Sequence, residues 1–80
     1  MIMPGTRFRI VARSAGDRRQ LLGEGGDGRY YLLKIGRGDI EAMPVDTAAA
    51  QKMQFSAAWH PVRDRSRVST AELVFQAARM

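Results

Sequence analysis

Arg7-Phe8-Arg9-Ile10-Val11-Ala12-Arg13 is the stretch that decides the fold. Phe8, Ile10 and Ala12 fall on one side of an extended chain, and Arg7, Arg9, Val11 and Arg13 on the other, the side-chain period of a half-buried β-strand. Ser14-Ala15-Gly16-Asp17 breaks the alternation with turn-forming residues, and Gln20-Leu21-Leu22 reads as a short second strand. Gly23-Glu24-Gly25-Gly26-Asp27-Gly28 follows, with Asp27-Gly28 a favourable tight-turn pair. Arg29 to Ile35, through Tyr30, Tyr31, Leu32 and Leu33, has the aromatic and branched composition of the best strand in the chain. Beyond the turn at Gly36-Arg37-Gly38-Asp39, Ile40 to Val45 is a weaker strand whose Pro44 suits an edge.

Downstream the period changes. Asp46 or Thr47 is placed to cap a helix, and Ala48-Ala49-Ala50-Gln51-Lys52-Met53-Gln54 is the strongest helix-forming run in the sequence. Helical spacing continues through Phe55, Ser56 and Trp59, and Pro61 ends it near Trp59-His60. Arg63-Asp64-Arg65-Ser66-Arg67 reads as a charged loop. Ser69-Thr70-Ala71-Glu72 has the form of a capping box, favouring a helix from about Thr70 to Arg79. Ala71, Leu73, Phe75 and Ala77 also alternate, so a closing strand is the alternative there. The expected fold is α+β: a three-stranded antiparallel sheet packed on the 47–59 helix, with a C-terminal helix or closing strand. Phe8, Ile10, Tyr31, Leu33, Ile35, Met53, Phe55, Trp59, Leu73 and Val74 are expected to supply most of the core.

The 80 residues suffice for one small domain, spanning 1–80, with a thin core. There is no cysteine, so neither disulfides nor thiolate metal sites arise. The first residues lack the basic flank and apolar stretch of a secretory signal, and no apolar run reaches membrane-spanning length, so a cytoplasmic protein is expected. The net charge is +5 with a pI near 10.8. Arginine outnumbers lysine 11 to 2, alanine also reaches 11 and asparagine is absent. GC-rich coding produces such a skew whatever the protein does, so charge alone does not select a nucleic-acid partner.

Catalytic constellations do not emerge. Gly23 to Gly28 spells G-x-G-x-x-G, but a dinucleotide site needs those glycines to open a helix, and here they run into strand-forming residues. A hairpin loop is the reading adopted, and no cofactor is expected. Arg37-Gly38-Asp39 is the integrin tripeptide in a chain with no sign of secretion. His60, the lone histidine, stands between Trp59 and Pro61 without a nucleophile, an orienting partner or further metal ligands. A non-enzymatic protein is expected.

Two basic constellations remain. Arg7, Arg9 and Arg13 on the outward face of the first strand, joined by Tyr30 and Lys34, make a basic, aromatic surface suited to phosphate contact and base stacking. Arg63, Arg65 and Arg67, with Arg18 and Arg19 in other loops, suit phosphates or an acidic protein surface. Trp59, the single tryptophan, is a candidate interface residue.

Ala48-Ala49-Ala50, Met53-Gln54 and Trp59, behind glycine-punctuated strands, resemble part of small phage-encoded inhibitors of the anti-CRISPR type. The likeness covers the alanine-rich segment 48–59. It implies a non-enzymatic protein that docks on a host complex and blocks it. That group shares no active motif, so no functional residue carries over. The leading expectation is therefore a small protein that binds and inhibits a protein partner or protein–nucleic acid complex. The alternative is a basic nucleic-acid-binding regulator using the arginine strand and loop. An open sheet edge also leaves room for a homodimer.

Overall fold

The computed structural model describes residues 6–63 and 67–78, the last three as backbone. Its elements are β1 (Arg7–Ser14), β2 (Gln20–Gly25), β3 (Tyr30–Ile35), β4 (Ile40–Val45), α1 (Thr47–Gln54), β5 (Trp59–Pro61), β6 (Arg67–Ser69) and α2 (Thr70–Ala78). The α+β class is as expected, but three strands understate the sheet. β1 to β4 form a meander in the order β4-β3-β2-β1, and β5 and β6 both pair with the outer edge of β1, giving six strands. β4 pairs with β3 along its whole length, from Ile35↔Ile40 to Tyr30↔Val45. Pro44 is tolerated there because the strand lies at the sheet edge.

β5 comes from residues expected to end the helix. α1 instead stops at Gln54, where the N–H groups of Phe55 and Ser56 reach back to the Lys52 and Met53 carbonyls. Ser56 then turns the chain: its Oγ accepts from the Ala58 N–H at 3.1 Å and its carbonyl from the Trp59 N–H at 3.2 Å. Trp59, His60 and Pro61 lie opposite Ser14, Arg13 and Ala12. Pairing there covers an edge of β1 that a longer helix would have left bare. β6 begins at Arg67, within the stretch expected to be loop, with Arg67, Val68 and Ser69 opposite Arg9, Phe8 and Arg7.

α2 follows directly and resolves the ambiguous segment in favour of helix. The Ser69 Oγ accepts the Glu72 N–H at 3.2 Å, the side-chain half of the capping box. The cap of α1 is Asp46, in an extended conformation, whose carbonyl takes the first helical hydrogen bond from Ala50 at 2.8 Å.

The sheet is covered on both faces. On the first lie Phe8, Ile10, Leu21, Leu33, Ile35 and Ile40, closed over by Leu73 of α2 with Val74 packed alongside. On the second lie Val11, Ala12 and Leu22 beneath Ala50 of α1, flanked by Tyr30, Val45, Met53 and Trp59. A β-bulge makes the second core possible. Ile10 lies opposite Gly23 and Ala12 opposite Leu22, so Val11 is one residue more than β2 supplies. Beyond the bulge the alternation of β1 reverses. Ala12, expected beside Ile10, joins Val11 on the second face, and Arg13 moves to the first face opposite Leu21.

Of the expected core, Phe8, Ile10, Leu33, Ile35 and Leu73 are buried, and Tyr31, Met53, Trp59 and Val74 are partly buried. Phe55 is a correction, being 91% exposed. Helical geometry accounts for it. Ala50 and Met53 face the sheet, and at about 100° per residue Phe55 would lie roughly 140° around from Ala50.

Candidate docking surface

The six-stranded register sorts the expected site residues. Across the second face, Val45, Tyr30, Glu24, Arg9 and Arg67 form one row of cross-strand partners running from β4 to β6. Arg7, opposite Ser69, lies two residues from Arg9 on the same face of β1. Arg7, Arg9 and Arg67 therefore share one corner. Among the described residues its carboxylate is Glu24, whose Oε1 is 3.5 Å from the Arg9 Nη1, a long contact between half-buried partners. Arg9 Nε is covered and has no hydrogen-bond partner among the described residues.

The other expected residues lie apart. Tyr30 occupies the same row but packs into the second core, so it is no open stacking platform. Arg13 is on the first face opposite His60. Lys34 stands between Gln20 and Glu41 towards the opposite end of the second face. Trp59 is half-buried at the start of β5 against the second core. Arg63 is exposed beyond β5, and Arg65 lies outside the described residues. Of the loop arginines, Arg18 is exposed, while the Arg19 backbone N–H is held by Asp17 Oδ1 at 2.9 Å and its carbonyl accepts from Ile35 at 2.8 Å.

The feature the sequence reading missed is the turn that carries Phe55. Phe55, Ser56, Ala57 and Ala58 are all exposed, yet their backbone is pinned. Besides the bonds at Phe55, Ser56 and Trp59, the Ala58 carbonyl accepts the Ala15 N–H at 2.8 Å, tying this turn to the end of β1. The exposed ring thus stands on a fixed base, with the exposed Ser56, Ala57 and Ala58 following it in the chain and the exposed Lys52 in the last helical turn before it. The sequence held the signal in the phase of the Ala50–Met53 stripe.

At the β2–β3 hairpin, Tyr31 donates its hydroxyl hydrogen to Asp27 Oδ2 at 2.7 Å, and Asp27 Oδ1 accepts the Arg29 N–H at 3.0 Å. The Tyr31 hydrogen bond, followed by that from Arg29, holds the Asp27 carboxyl below its ordinary range, and the same bond to Asp27 pushes the Tyr31 phenol up. The ring of Tyr31 meets Phe8 edge-on, with centroids 5.7 Å apart, so this pair braces the loop against the first core. The stretch spelling G-x-G-x-x-G is the end of β2 and its hairpin, leading into a strand. Among the described residues no three His, Cys, Asp or Glu side chains are grouped to hold a metal ion. No described helix is long and apolar enough to cross a membrane.

No protein-family model, curated protein or solved structure matches this chain.

Proposed function

We propose that this chain is a non-enzymatic binding protein that docks on a protein partner through Phe55 and acts by occupying that partner's surface. The observation carrying the reading is a phenylalanine 91% exposed on a hydrogen-bonded turn, against 3% for Phe8 and 61% for Phe75 on α2. A large side chain held in place before binding loses little conformational freedom on docking, and aromatic anchors dominate the energetics of protein interfaces. The residues that follow it, Ser56, Ala57 and Ala58, are small and exposed, which leaves room for a partner's surface. The resemblance of residues 48–59 to small phage-encoded inhibitors gives the reading its direction, inhibition of a host complex by steric occupation. In this fold those residues are divided among α1, the Phe55 turn and β5.

Nucleic acid is the second reading, and the arginine corner is the observation in its favour. Against it, Tyr30 packs into the second core, Arg13 is on the first face and Lys34 lies towards the opposite end of the second face, away from the corner.

The test is capture from nuclease-treated lysate on the immobilised chain, with Phe55→Ala and Arg7→Ala/Arg67→Ala columns alongside. A protein retained by the wild type and by the arginine variant, and lost from Phe55→Ala by at least about 2 kcal/mol of affinity once purified and titrated, supports the reading. Recovery only of nuclease-sensitive material, with log K falling by about 0.9 per log unit of salt for each phosphate contacted, overturns it.

A further inference from the structure

We infer that Arg7, Arg9 and Arg67 form a binding site for a phosphate monoester, separate from the Phe55 turn and independent of what Phe55 binds. Arg9 and Arg67 are direct cross-strand partners, and Arg7 is the diagonal neighbour of Arg67 across the same ladder. Like charges placed opposite each other destabilise a sheet, and folding alone gives no reason to gather three here. Glu24 offsets part of the charge, through a 3.5 Å contact to Arg9 alone; among the described residues Arg7 and Arg67 have no ion pair. Among the described residues, three guanidinium groups against one carboxylate leave an excess of two positive charges, matching the charge of about −1.5 to −2 on a phosphate monoester near neutrality. Guanidinium forks supply the paired donors that such an anion accepts.

The corner is also bounded. Tyr30 and Val45 continue its row under α1, and the next row on that face is Met43, Leu32, Leu22, Ala12 and Pro61, which carries no charge. A single compact dianion matches a charge cluster of this extent, whereas a polymer backbone would need cations continuing beyond it.

The experiment is an NMR titration of the whole chain with phenyl phosphate, the ionic strength held constant by exchange against sodium chloride. The expected result is saturable shifts at the amides of residues 7, 9 and 67. Arg67→Ala, at an exposed edge position, should weaken binding at least about tenfold, the loss of a charge-assisted hydrogen bond. Glu24→Gln should tighten it, because the competing carboxylate is gone. Equal shifts with chloride alone, unchanged affinity in Arg67→Ala, or weaker binding in Glu24→Gln would each overturn the site. A phosphoserine peptide and a 5′-phosphorylated oligonucleotide, each against its unphosphorylated form, identify which molecule carries the group. If the unphosphorylated oligonucleotide binds as tightly as the phosphorylated one, the corner reads a nucleic-acid backbone and the inference fails.

Discussion

Gly28 sits at φ +79° in the β2–β3 hairpin, a conformation that side chains with a Cβ resist. Gly28→Ala should therefore lower stability by about 1 kcal/mol, read by chemical denaturation. Gly16→Ala is the control: an added Cβ there meets nothing within 4 Å, and its backbone is ordinary, so the change should be neutral or stabilising by about 0.5 kcal/mol. The neighbouring Asp27–Tyr31 bond predicts a two-sided pH dependence. The Asp27 carboxyl is held lower in the folded state, so its contribution is present above its unfolded-state pKa and is lost as pH falls through the lowered value. The Tyr31 phenol is held higher, so its contribution is present below its unfolded-state pKa and is lost as pH rises through the raised value. Tyr31→Phe should remove the alkaline limb of the stability–pH profile and shrink the acid one, where the Arg29 N–H still holds the Asp27 carboxyl down. A variant that flattens neither would show that the bond does not stabilise the hairpin.

At the scale of the element, the bulge in β1 explains what the sequence disclosed and what it concealed. Phe8 and Ile10 precede it, and their alternation with Arg7 and Arg9 was legible because neighbouring residues in one strand define it. The extra residue at Val11 exists only relative to Gly23 and Leu22 on β2, so no property of residues 7–13 alone announces the reversal at Ala12 and Arg13. The same limit hid the second core: Val11-Ala12, Leu21-Leu22 and Leu32-Leu33 are consecutive apolar pairs, which a sheet buried on both faces requires, but which also suit a half-buried one. The Ser69–Glu72 cap was readable because it is local. The end of α1 was not, because pairing with β1 displaced a helical pattern that ran on to Trp59. Ala50 is fully buried where α1 meets Val11, Ala12 and Leu22, so Ala50→Leu should overpack that contact and cost about 1–3 kcal/mol in denaturation. Ala49→Leu, one residue away on the exposed side, should change stability by less than about 0.5 kcal/mol.

At the scale of the whole molecule, a helix lies over each face of the sheet. α2 closes the first face, and α1 enters from the end of β4 and leaves towards β5 at the opposite edge, crossing the second. The arginine corner beside α1 and the turn at its far end are among what stays exposed, as is Phe75 of α2 at 61%. Of the expected basic, aromatic sheet surface, Arg7, Arg9, Tyr30 and Lys34 share the second face, and the bulge moves Arg13 to the first. Phe55 was legible as an apolar residue, and its exposure depended on which stripe of α1 met the sheet.

The claim that Phe55 is held for a partner and not for the fold is tested most directly by the unfolding free energies of Phe55→Ala and Phe8→Ala under identical conditions. Phe55→Ala should stay within about 0.5 kcal/mol of the wild type, as for an exposed position away from packing. Phe8→Ala, which empties a site in the first core, should lose about 3–5 kcal/mol. A loss above about 1 kcal/mol in Phe55→Ala would place that ring in the packing of the fold and contradict the account.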